Sequence, residues 1–220
     1  MSRSLLAVVA GLLFAAALFA APAPAEPSIT PIDLKDHINV KLKDSFHAGT
    51  TDGNNLAGLP TGKQTFAGVK FTVGDGVVQL GSARVTGKPE KVEGIKVGRF
   101  VTKLHFLHSC GCGYSTADDA LIGKYVVHYE DKTTADIEIV YGKDVIDWWV
   151  AAGRKDPTRS KVAWEGDNEA VKGSGTKIKL SLTTWENPHP KKKVVKIDYV
   201  NTAATTNVAP FCVAITAEDK

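Results

Sequence analysis

From Ile32 onward the chain is a succession of short apolar runs separated by Gly, Pro, Asn and Asp. The clearest are Asn39–Leu42, Val69–Val73, Val77–Leu80, Leu104–His108, Lys124–Tyr129, Asp136–Tyr141, Lys161–Trp164, Lys177–Thr184, Val194–Val200 and Phe211–Thr216. Several alternate strictly. Ile178, Leu180 and Leu182 fall on one side of their run, with Lys177, Lys179, Ser181 and Thr183 on the other. Ile137 and Ile139 flank Glu138 in the same manner. A period of two with one apolar side predicts antiparallel strands that bury one face. Turn chemistry agrees: Glu130-Asp131-Lys132-Thr133 predicts a hairpin turn, and Gly74-Asp75-Gly76 links two further strands. The one helix candidate is Lys143–Ala151, of one or two turns. Many short strands at this spacing predict an all-β fold, an antiparallel β-sandwich of jelly-roll type.

The first 25 residues break the pattern. Arg3 precedes an apolar run from Leu5 to Ala21, and Ala23 and Ala25 suit a cut before Glu26. This is the three-part plan of a secretory signal. The run is shorter than the ~20 apolar residues that usually span a bilayer. The expectation is a secreted or periplasmic protein with no membrane span after cleavage. Residues 26–31 read as a Pro-rich tail and 32–217 as one β-sandwich domain.

Charge adds little. The formal net charge of +3 includes Arg3 of the leader, and a value so small gives no argument for nucleic acid or a membrane surface. Lys191-Lys192-Lys193, after Asn187-Pro188-His189-Pro190, reads as a solvated turn. Export permits disulfides, and three cysteines leave at least one thiol over. A Cys110–Cys112 bridge would close a strained small ring. Cys212 with Cys110 or Cys112 is therefore the expected pairing, the alternative being three small residues packed in the core.

His105, His108, Cys110 and Cys112 have the side chains of a zinc or copper site. In a strand, however, His105 and His108 have opposite parity and point to opposite faces. The aromatic residues carry more. Sugar rings stack on exposed aromatic faces while amides and carboxylates bond their hydroxyls. Trp185-Glu186-Asn187 offers one of each at a strand end, and Asp147-Trp148-Trp149 is the second candidate. In the adjacent Trp pair, one ring is expected buried and the other partly exposed. There is no Gly-x-Ser-x-Gly, no His-Glu-x-x-His and no phosphate loop, so catalysis has no signature. Asp144, Asp147, Glu165 and Glu186 are the acids from which a hydrolase pair would come.

Three segments carry a family resemblance. The first is Asp52-Gly53-Asn54-Asn55-Leu56-Ala57-Gly58-Leu59-Pro60-Thr61-Gly62-Lys63-Gln64-Thr65-Phe66. The second is Leu104-His105-Phe106-Leu107-His108 with Tyr141-Gly142-Lys143-Asp144-Val145-Ile146-Asp147-Trp148-Trp149. The third is Thr183-Thr184-Trp185-Glu186-Asn187-Pro188 with Ile197-Asp198-Tyr199. Together they resemble an uncharacterised secreted β-jelly-roll module of planctomycete-type bacteria, similar to galactose-binding-like sandwiches. The chain departs from that pattern at Cys110 and Cys112, where a Gly and an aromatic are expected. The resemblance implies a non-catalytic exported binding module. Its ligand would be carbohydrate, and its partner an extracellular polysaccharide or a cell-envelope protein. It also implies a structural calcium where an early loop meets the terminus, held by Asp52, Asn54 and Glu218. The alternatives are a structural or protein-interaction domain without a small ligand, and a glycan hydrolase.

Overall fold

The computed structural model describes residues 27–47 and 52–219; the signal read in residues 1–25 lies outside them. The chain enters through β1 (Ser28–Ile32), a 3-10 turn at Lys35–His37 and β2 (Val40–Lys41). The hairpin β3 (Gly62–Phe66) and β4 (Val69–Val73) follows, then β5 (Gly76–Gln79), β6 (Lys91–Phe100) and β7 (Lys103–Gly111). Next come β8 (Leu121–Tyr129), β9 (Thr134–Val140), β10 (Trp149–Val150) and β11 (Lys161–Gly166). The chain closes with β12 (Lys177–Glu186), β13 (Lys193–Val200) and β14 (Ala209–Asp219).

The strand pairs are antiparallel and form two large sheets. The larger runs β10-β12-β7-β14-β5-β2, with β1 also on β14 and β11 on β12. The smaller runs β6-β13-β8-β9. Between the two lies one apolar core, centred on Phe106, Tyr125 and Tyr199. These three rings are stacked in series, at centroid distances of 4.0 and 4.6 Å. Each buried ring contributes roughly 2 kcal/mol by burial alone. A second core covers the opposite face of the larger sheet, under the β3–β4 hairpin and residues 42–47 and 52–59. Phe46, Phe71, Trp148, Ile178, Leu180 and Phe211 fill it. The larger sheet is thus a middle layer, which is why Leu104 through Gly111 are all buried.

Most predicted strands are present, including the turn at Glu130–Thr133, where Lys132 takes a φ of 69°. Three readings need correction. Ser28–Ile32 is a strand, not a tail: it pairs residue for residue with the end of β14, Ser28 opposite Asp219. Pro31 is tolerated because a proline's missing N–H costs nothing on an outer strand edge. Gly74-Asp75-Gly76 connects two strands as predicted, β4 pairing with β3 and β5 with β14 and β2. Lys143–Ala151 contains no helix. Its apolar residues serve different layers, Val145, Ile146 and Val150 the first core and Trp148 the second.

The cysteine pairing is also not formed: all three thiols are free. Cys212 sits opposite His108 on the neighbouring strand, whereas Cys110 sits opposite Pro210. Such diagonal neighbours stand ~7–8 Å apart, beyond the span of a disulfide. Cys110 and Cys212 instead pack in the first core, and burial pushes the Cys212 thiol up to about 12.

Candidate functional site

Residues 147–149 wedge between β7 and β12. The Trp148 N–H donates to the Cys110 carbonyl, and the Trp148 carbonyl accepts from the Lys179 N–H. Cys110 and Asp147 form an isolated parallel bridge. This placement turns three consecutive side chains to three different tasks. Trp148 is 2% exposed and packs against Phe46 and Phe211. Trp149 is 37% exposed. Asp147 is largely enclosed, accepting at Oδ2 from the Gly113 N–H and at Oδ1 from the Trp149 N–H. Burial outweighs these donors and raises its carboxyl to about 6.

Around this wedge lies an open cleft of about 460 Å³. Trp149 and Tyr114, itself 80% exposed, supply its aromatic surface. A second hollow of about 220 Å³ shares Tyr114, Asp147, Trp149 and Ala151, so the two form one groove around the aromatic pair. Trp149 does not hang free. Its indole Nε1–H donates to Asn54 Oδ1 at 3.1 Å. Asn54 in turn donates from Nδ2 to the Phe46 carbonyl, and its own carbonyl accepts from the Phe46 N–H. Gly53 holds the turn before it, with φ at +76° and the Glu169 side chain against the space a Cβ would need.

Arg84, Cys112, His47 and Thr176 complete the polar lining. Cys112 is half-buried with φ at 56°, a left-handed conformation that non-glycine residues seldom take. Burial, then the Asp147 carboxylate, raise its thiol, while Arg84 acts in the opposite direction. His47 also has φ at 56°. It keeps some exposed surface, but its Nε2 is buried and has no hydrogen-bond partner among the described residues. Its Nδ1 lies 2.8 Å from Gln79 Nε2. Burial holds the imidazole down to about 3, so it is neutral at physiological pH.

The fold separates the two sugar-binding candidates. Trp149 stands opposite Ile178 at the start of β12, and Trp185 lies near its end. From Ile178 to Trp185 the strand covers roughly 23 Å at about 3.3 Å per residue, so the two rings form no common platform. Trp185 is half-buried against the first core, and Glu186 is exposed. Both line another hollow, with the ion pair of buried Asp144 and Arg159. Asn187 is not a ligand group: it is buried, accepts from Tyr129 Oη and donates to the Val101 carbonyl.

The calcium set is not assembled either. Glu218 stands opposite Lys103 and bonds it and His105, at the start of β7. Asn54 lies with Trp149 beside the far end of that strand. Asp52 is exposed, in the turn that leads to Asn54. Among the described residues no cluster of three or more His, Cys, Asp or Glu side chains could hold a metal ion. His105 and His108 do diverge, as their parity predicts. His105 meets Thr184 and Glu218, whereas His108 meets Thr183 and Tyr125. Of the candidate hydrolase acids, Glu165 is exposed and pairs with Lys179.

Sequence reasoning named Asp147 and Trp149 as a sugar-binding candidate and Asn54 as a calcium ligand, and the fold brings the three together. It missed His47 and Arg84, whose neighbours carry no local motif. Comparison of the chain with family models, with curated proteins and with solved structures finds no match. The all-β antiparallel architecture agrees with a sandwich, and the site is read from its own geometry.

Proposed function

We propose that the protein is an exported, non-catalytic carbohydrate-binding module whose ligand lies in the Trp149 groove. On this reading its sandwich is of jelly-roll, galactose-binding-like type, and the leader delivers it to the cell envelope or beyond. The observation that carries the reading is the pinned, exposed indole of Trp149 beside exposed Tyr114. An aromatic held rigidly at the surface offers stacking area at low entropic cost. The bond to Asn54 uses the one polar atom of the indole and leaves its rings for C–H contacts. The surrounding amide, hydroxyl, guanidinium and carboxyl groups suit a polyhydroxylated ligand. One carboxylate, Asp147, stands among the residues lining the groove, whereas glycoside hydrolysis ordinarily uses two.

The test is a glycan array followed by affinity electrophoresis with the polysaccharides it retains. Binding that falls at least tenfold in Trp149→Ala and persists in Trp185→Ala supports the reading. Binding to no glycan overturns it and favours a protein-interaction domain.

A further inference from the structure

The described residues contain four arginines, and three of them are neutralised within the fold. Arg99 pairs with Asp219, Arg154 with Asp118 and Arg159 with Asp144. Arg84 is the exception. It is exposed, lines the larger hollow of the groove and has no carboxylate partner among the described residues.

The groove's own acid does not serve it. Both Asp147 oxygens are engaged by backbone N–H groups, Oδ2 by Gly113 and Oδ1 by Trp149. His47, on the same lining, carries no charge at physiological pH. The larger hollow therefore holds a cation without a carboxylate partner, Arg84, on the same lining as Trp149, whereas Arg154 on the smaller hollow is held by Asp118.

Resting on the carbohydrate reading above, we infer that the groove selects acidic glycans, with Arg84 receiving the carboxylate of a uronic acid whose neighbouring ring lies on Trp149. A guanidinium matches a carboxylate with two parallel N–H···O bonds, a geometry that neutral hydroxyls do not reproduce. The pyranose carboxylate projects from the ring edge. A sugar ring stacked on Trp149 can thus place a carboxylate of the same chain at the groove wall, where Arg84 stands.

The experiment uses the folded protein with galacturonate and glucuronate oligosaccharides, the same oligosaccharides as methyl esters, and sulfate esters of oligosaccharides that lack uronic acid, by titration calorimetry at low and moderate salt. The expected result is uronate affinity at least about tenfold above that of the methyl esters, reduced by added salt. The discrimination should vanish in Arg84→Gln, while Trp149→Ala should weaken acid and ester alike. Equal affinity for acids and esters overturns the inference and leaves the carbohydrate reading standing. Preference for sulfated over carboxylated sugars also overturns it. No affinity for any of the three overturns the inference, and the glycan array then decides the carbohydrate reading separately.

Discussion

The imidazole of His47 lies on the bare α-carbon of Gly111: a Cβ at that position would stand 2.1 Å from His47 Nε2. The contact fixes one wall of the groove. His47 can sit there because β7 ends in a residue without a side chain, and it is clamped by Trp148 and Phe211 on its other sides. Gly111→Ala must displace the ring or bend the strand. The expected loss is about 2 kcal/mol of stability, the usual cost of overfilling a packed site. His47→Ala in the same chain should recover much of it, measured as coupling in a double-mutant cycle of urea unfolding. Additive losses would show that the two residues do not meet.

His108 is buried and His47 is partly buried, and both are held as neutral rings. Burial lowers His108 to about 4 and His47 to about 3. An unfolded histidine titrates near 6.5, so on acidification the unfolded chain takes up these protons first. Their burial costs no titration energy above pH 6.5, and stability falls as pH drops from there towards 4. His108 accounts for about 3 kcal/mol of that fall. The urea midpoint of His108→Gln should therefore change less between pH 6.5 and 4 than that of the unaltered protein. Parallel curves would contradict the assignment.

The Asp144–Arg159 pair is asymmetric. Asp144 is fully buried, whereas the Arg159 side chain is half exposed. Asp144 also accepts from the Val140 N–H. Removing the arginine leaves a buried carboxylate without its cation, which costs more than removing both partners. Arg159→Ala should lose about 3 kcal/mol, and Arg159→Ala with Asp144→Asn less. Thermal melts of the two variants decide the order.

The adjacent tryptophans separate stability from binding. Trp148→Ala opens a void in the second core and should cost about 4 kcal/mol. Trp149→Ala removes a surface ring and one hydrogen bond, and should cost under about 1 kcal/mol. A Trp149→Ala protein that melts like the parent is the control on which any loss of binding rests.

Strands with an uninterrupted two-residue period were legible in the sequence, because one buried face imposes that period. β6 was not. Gly94 and Gly98 take positive φ, and the register against β13 shifts twice, so Val92, Ile95 and Val97 lose even spacing. A bulge adds a residue to one strand and breaks alternation at that point. β3 was hidden by its polarity, since within Gly62–Phe66 only Phe66 is buried. Trp148 and Trp149 were read correctly as one buried and one exposed ring. Their groove was not legible. Asn54, Arg84 and Cys112 reach it from separate loops, and chain order carries no trace of that meeting. Trp185-Glu186-Asn187 looked better as a local triplet, yet Asn187 is consumed in bracing Tyr129 and Val101.

The most direct test of the groove is the amide and indole spectrum of the 15N-labelled protein during titration with a galacturonate tetrasaccharide. Four indole N–H resonances report on the four tryptophans separately. The expected result is a shift of the Trp149 indole together with the Gly113 and Tyr114 amides, while the Trp148 and Trp185 indoles stay in place. Shifts gathered at the Trp185 indole, or no shift at any resonance, would contradict the account.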